Sequence, residues 1–254
     1  MRKTNKNIWF HIEEILFHQD SKSFNPTYPA FFNVEEYKWC KNVSLQYLEI
    51  KHEFEQFISN NKLQPYFYKE QAGNTLKWKT LPLLTWNIKR KSLKRFPTTH
   101  KILQSIPGLV SASFSLLEAG GEITTHRGDT DASIRGHLCL YTAQQNEKAA
   151  FTVNNITKNW EEGRWLLFCD AHLHGGYNHS NENRLVLIVD VVHPVNLDLK
   201  NKICSKVLSG LLMNFILVRF VFFDIRKLPK WLLISFYKIF DFLFKIVILL
   251  DVKI

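Results

Sequence analysis

The chain has 254 residues, 46% hydrophobic and 22% charged, which is enough apolar material for a sizeable core and excludes a disordered chain. Thirty-three Lys and Arg outweigh 23 Asp and Glu, leaving a formal charge of +10 and a surface suited to nucleic acid, anionic lipid or acidic substrates. Four scattered cysteines (Cys40, Cys139, Cys169, Cys204), with no CxxC pair, give no sign of a zinc knuckle or disulfide framework. The opening MRKTNKNIWFHIEE lacks the apolar core of a signal peptide, so a reducing, cytoplasmic compartment is expected.

Residues 1–76 read as a mixed N-terminal region with helices. Within KHEFEQFISNNK, Phe54, Phe57 and Ile58 follow helical spacing. LPLLTW (Leu81–Trp86) reads as a short buried strand. KRKSLKR (Lys89–Arg95) is a solvated loop or helix face, with an anion-binding patch as the alternative. It lacks the interleaved aromatics that stack on bases, so nucleic acid is not expected as a partner. From Leu109 onward, short β-rich runs alternate with turn residues at Gly120–Gly121, Asn154–Asn155 and Glu162–Gly163. This pattern predicts a small sandwich or barrel over residues 77–198.

Residues 199–254 are a different material. From Ser205 on, eight basic residues face three acids, and eight of the 20 Phe lie there. Val207–Phe223 is apolar but for Asn214 and Arg219, and a basic hinge follows at Asp224–Lys230. Trp231–Leu250 is apolar apart from Lys238, Asp241 and Lys245, which share one narrow helical face. Three ionisable groups make a bilayer span expensive. A helical hydrophobic tail lying in a membrane interface is therefore expected. The alternatives are a hairpin packed on the domain and a dimer contact.

The chemistry concentrates in the β block. His126, His137, His172, His174, His179 and His193 fall there with Asp129, Asp131, Asp170 and Asp190. A lone strand histidine is usually structural, but this density argues for a metal, and imidazole suits iron, zinc or copper. His126 and His174 follow predicted strands, which fits a site at a barrel mouth.

The pieces FPTTHKILQSIPG, SFSLLEAGGEITTHRGDT, IRGHLCL, WEEGRWLLFCDAHLHGGYNHS and NRLVLIVDVVHP, in that order and spacing, resemble the aspartyl/asparaginyl β-hydroxylase family. The resemblance runs from about Lys77 to Pro194. It implies a double-stranded β-helix (jelly roll, cupin-like) and an Fe(II)- and 2-oxoglutarate-dependent dioxygenase. His126 and His174 match the metal ligands, with His172 a rival by spacing. Arg184, ten residues after His174, matches the cosubstrate-carboxylate anchor. Ser115 and His137 match further cosubstrate positions, and Arg135 is assigned to substrate. Where most oxygenases carry a ligating carboxylate this chain has Gly128, as the family does. Water would complete the shell, with Asp129 or Asp131 as the alternative. Were the alignment wrong, zinc would be the default metal.

The implied activity is hydroxylation of a β-carbon, first of Asp or Asn in a peptide or protein. The tail raises hydroxylation of a lipid acyl chain, as on lipid A, as the alternative. A non-catalytic jelly-roll binding module is the second alternative.

Overall fold

The computed structural model describes residues 28–66, 76–143, 148–219 and 228–251. The N-terminal 27 residues and most of the expected hinge lie outside them. Among the described residues the strands are β1 (Gln64–Pro65), β2 (Trp78–Thr85), β3 (Ile88–Lys89), β4 (Leu109–Leu117), β5 (Gly121–His126) and β6 (Ser133–Tyr141). They continue as β7 (Ala149–Val153), β8 (Ile156–Asn159), β9 (Trp165–Cys169), β10 (His174–Asn178) and β11 (Arg184–Val192). Five α-helices accompany them: α1 (Lys38–Ser44), α2 (Tyr47–Ile58), α3 (Pro97–Leu103), α4 (Lys200–Arg219) and α5 (Lys230–Leu249).

The strands form two antiparallel sheets. The larger runs β1-β2-β4-β11-β6-β9 with β3 on β2, and the smaller runs β5-β10-β7-β8. Successive strands change sheet at β4–β5, β5–β6, β6–β7, β8–β9, β9–β10 and β10–β11, which is the winding of a double-stranded β-helix. The sheets face each other without closing into a barrel, so the site lies between them and not at a barrel mouth.

Turn chemistry drives this winding. Gly120 takes φ 68° between β4 and β5, where a side chain would be strained. Asn154 and Asn155 both take positive φ (48° and 65°) between β7 and β8. That is the two-residue turn whose twist matches a hairpin, and Asn tolerates it. The expected turn at Glu162–Gly163 precedes β9.

Strand alternation separates two cores. One face of the large sheet presents Phe114, Leu116, Ile134, Leu138, Leu140, Leu185, Leu187 and Val189 to the helices. Trp39, Cys40, Val43, Ile50 and Phe54 from α1 and α2 fill that core, and Phe54 packs on Phe114 at 4.8 Å between ring centroids. Each such buried side chain contributes about 1.5–3 kcal/mol. The described helices α1 and α2 of the N-terminal region thus share this core. The opposite face, with Cys139, Phe168 and Val186, meets Phe151 and Val153 of the small sheet and Trp160.

The C-terminal helices are also docked. Ile203, Cys204, Val207 and Leu208 of α4 and Ile248 of α5 pack on Trp86, Ile88, Val110, Ala132 and Val192. Among the described residues no helix is long and apolar enough to cross a membrane.

Candidate active site

The two candidate metal ligands are brought together by register. His174 on β10 stands opposite His126 on β5, and their ring centroids are 4.3 Å apart. A register shift between His174 and Gly176 follows at once, so the ladder is irregular at the site. Each ring is oriented from behind. His126 Nδ1 bonds the Thr124 carbonyl at 2.8 Å, and His174 Nδ1 bonds the His172 carbonyl at 2.9 Å. A carbonyl only accepts, so each Nδ1 carries the proton and each Nε2 keeps its lone pair. Burial pushes both rings down to about 3, with the neighbouring His174 ring adding to the effect on His126. Both are neutral at physiological pH, the state a metal requires. His172 is turned elsewhere, with its Nε2 on the Tyr28 carbonyl at 2.8 Å.

Among the described residues no three His, Cys, Asp or Glu side chains gather as a metal-binding group. Among the described residues the imidazole pair is the candidate donor set, and no Asp or Glu makes it a group of three. Asp170, one of the acids that accompany the histidines in the sequence, is at the site. Its Oδ1 lies 3.3 Å from His174 Nε2, and a Cβ on Gly128 would sit 1.5 Å from its Oδ2. The Gly128 N–H donates to the Asp170 carbonyl at 2.7 Å. Asp170 therefore fills the space that a side chain at 128 would take. A carboxylate oxygen facing an imidazole lone pair is two acceptors without a proton between them, an arrangement that favours a cation nearby.

Arg135 is drawn into the same cluster. It donates to Asp190 twice, at 2.6 and 2.9 Å, and to Asp170 at 2.7 Å. These ion pairs hold Asp170, which lies four residues before His174. Burial alone would lower its pKa, but Asp170 and Asp190 hold it well above the ordinary arginine value. Burial, reinforced by Asp170, lifts Asp129 to about 7, and burial also raises Asp190.

The cosubstrate candidates line the large sheet's inner face. Arg184, Ser115 and His137 come from adjacent strands β11, β4 and β6. Arg184 is fully buried, stacked on Trp160 at 4.5 Å, and its Nη1 donates to the Ser115 carbonyl at 3.3 Å. Its Nε and Nη2 have no partner, and neither has His137 Nδ1. Burial pulls Arg184 down to about 10, still charged at neutral pH. Burial, then the Arg184 cation, lowers His137 well below its usual range. Ser115 Oγ accepts from Trp78 Nε1 at 2.9 Å. Buried donors without acceptors are costly, and a bound carboxylate would satisfy them. Rings of Phe151 and Phe168 lie between the two halves of the site, each within 5.8 Å of His174 and 4.9 Å of His137. A groove of ≈ 530 Å³ along β5 and β10, lined by Glu122, Ile123, Leu173, Tyr177 and His179 among others, reaches His174.

The family model for "Aspartyl/Asparaginyl beta-hydroxylase" matches residues 44–194. The chain belongs to that family. The match begins inside α1, consistent with α2 being part of the domain core. Among relatives of this chain is the ornithine lipid ester-linked acyl 2-hydroxylase of Rhizobium tropici, 32% identical over 173 residues, covering 66% of this chain and 62% of the relative. The aspartate beta-hydroxylase domain-containing protein 2 of Homo sapiens is 28% identical over 181 residues, covering 66% of this chain and 48% of the relative. The aspartyl/asparaginyl beta-hydroxylase of Homo sapiens is 32% identical over 106 residues, covering 40% of this chain and 14% of the relative. The chain thus spans less than two thirds of each of these.

Proposed function

We propose that this hydroxylase is an Fe(II)- and 2-oxoglutarate-dependent oxygenase that hydroxylates an acyl chain of a membrane lipid. The observation that carries the cofactor reading is the pairing of two neutral, back-bonded imidazoles with a buried guanidinium whose Nε and Nη2 lack acceptors. His126 and His174 would hold the iron. Arg184 would grip the far carboxylate of 2-oxoglutarate, with Ser115 and His137 beside it. When bound, these groups supply the oxidising power: O2 gives one oxygen atom to a substrate C–H bond and one to the succinate formed as CO2 leaves.

The chain's own residues do the rest. The carbonyls of Thr124 and His172 fix the imidazole tautomers, which second-sphere acceptors commonly do. Arg135 and Asp190 hold Asp170 against Gly128. Phe151, Phe168 and Trp160 keep water away from the space between the sheets, and the groove along β5 and β10 gives a substrate access to His174.

The lipid substrate is favoured over the peptide one by the Rhizobium relative, whose match covers more of this chain than the human Asp/Asn enzyme's does. The peptide reading stands second, supported by the latter's name. The test incubates purified protein with Fe(II), 2-oxoglutarate and O2, separately with an ester-linked acyl lipid and with Asp- and Asn-containing peptides. Expected is succinate formation and a lipid product heavier by one oxygen, both lost in His174→Ala. Product from peptide alone would move the assignment to the second reading. Absent turnover on both would leave a binding module, and iron-independent turnover would overturn the Fe(II) reading.

A further inference from the structure

Helix α5 buries an acid and exposes a stripe of large apolar residues. Its polar line faces α4: Asp241 is buried and accepts from the Ser205 hydroxyl at 2.7 Å and from Lys245 at 2.9 Å, with the Lys206 ammonium at 3.2 Å. The Tyr237 hydroxyl donates to the Lys206 carbonyl at 3.1 Å. Burial would raise the Asp241 carboxyl, yet these donors hold it below its ordinary value. Leu233, Tyr237 and Ile248 are buried, but a further apolar stripe of the same helix is left to solvent. Trp231 is 66% exposed, Phe242 63% and Leu249 75%, with Ile239, Leu243 and Leu250 also exposed. Their spacing makes one stripe along a helix about 30 Å long.

A surface helix ordinarily turns such a stripe to the core. Contiguous exposed apolar surface of this kind marks an interaction site. We propose that this face lies in the plane of a bilayer bearing anionic headgroups. Charge selects that occupant. Lys89 pairs with Asp251 at 2.6 Å, just beyond the end of α5, and so brings the basic turn carrying exposed Lys91, Lys94 and Arg95 beside the stripe. Exposed Lys238 and Lys245 flank it, and the chain carries +10. Basic residues beside an apolar face attract anionic lipid. Two copies meeting through this face would set those lysines against each other, an unfavourable arrangement. Trp231, at the opposite end from the basic turn, suits the headgroup level. The inference stands without the lipid-substrate reading, because binding is measured without turnover.

The experiment sediments the full-length protein with vesicles of phosphatidylcholine alone or mixed with phosphatidylglycerol. Strong binding to the mixed vesicles, weakened by salt, is expected. Phe242→Ser/Leu243→Ser should lower the partition at least about tenfold, since each exposed apolar side chain inserted is worth a factor of ten or more. Thermal unfolding of this variant should be unchanged. Lys91→Glu/Lys94→Glu should lower binding to the mixed vesicles only. No sedimentation with either vesicle, or equal binding by the Phe242/Leu243 variant, would overturn the proposal. So would a wild-type dimer in solution that this variant loses, which would make a second copy the occupant.

Discussion

Replacing Arg184 with Met separates what the guanidinium does for function from what it costs the fold. The side chain is fully buried, and burial lowers it from 12.5 to about 10. Carrying the charge at neutral pH therefore costs about 3 kcal/mol relative to an exposed arginine. The stack on Trp160 offsets about 1–2 kcal/mol of that. Met keeps most of the length and no charge, so Arg184→Met should stabilise the ligand-free protein by about 1–2 kcal/mol. For a chain of this size that is a rise in Tm of about 2–8 °C. The sign with pH follows from a base whose folded pKa is depressed. The cost is present in full below about 10 and relaxes as pH rises toward 12.5, so the gain is flat across the neutral range. Adding 2-oxoglutarate at about a hundredfold its Kd should stabilise the wild type by about 2.7 kcal/mol and leave the variant unmoved. Scanning calorimetry with and without 2-oxoglutarate reads both effects. A variant that loses several degrees without ligand, or still gains stability from 2-oxoglutarate, would refute the reasoning.

Two other predictions concern the acidic cluster. Gly128→Ala should cost about 1–3 kcal/mol in chemical denaturation, because its methyl overlaps Asp170, and Asp170→Ala in the same chain should cancel most of that loss. Arg135→Met should destabilise by about 3–5 kcal/mol, because it leaves the buried Asp170 and Asp190 carboxylates without their cation. An unchanged thermal midpoint in that variant would show that the two carboxylates share another counter-charge.

Much of the β block is legible in the sequence, because alternation and turn residues are local signals. Gly120, Asn154–Asn155 and Gly163 punctuate the strands where their positive φ angles are needed. The predicted strand Leu81–Trp86 is found as Trp78–Thr85, and it stops where Trp86 and Asn87 take positive φ. The helical spacing of Phe54 and Phe57 is met by α2. Long-range pairing is not local. Nothing near position 126 says that His174 will lie across from it, and only the family resemblance picked out the pair. Asp170 was invisible as the occupant of Gly128's space, because that fit depends on a loop 42 residues away. The ion pairs of Arg135 were not legible either, because its partners Asp170 and Asp190 sit beyond β9 and on β11, far from it in the chain. The Lys238–Asp241–Lys245 line was read correctly as one face. Which way that face points depended on Ser205 and Lys206 waiting on α4.

The register across β5 and β10 has a consequence for how the catalytic halves are kept in step. Both imidazoles ride on the small sheet, and the whole anion grip rides on the large one. The jelly roll is therefore a pair of jaws, and the ring layer of Phe151, Phe168 and Trp160 is the shim that sets their gape. Thinning or thickening one ring would change the bite without touching any polar group.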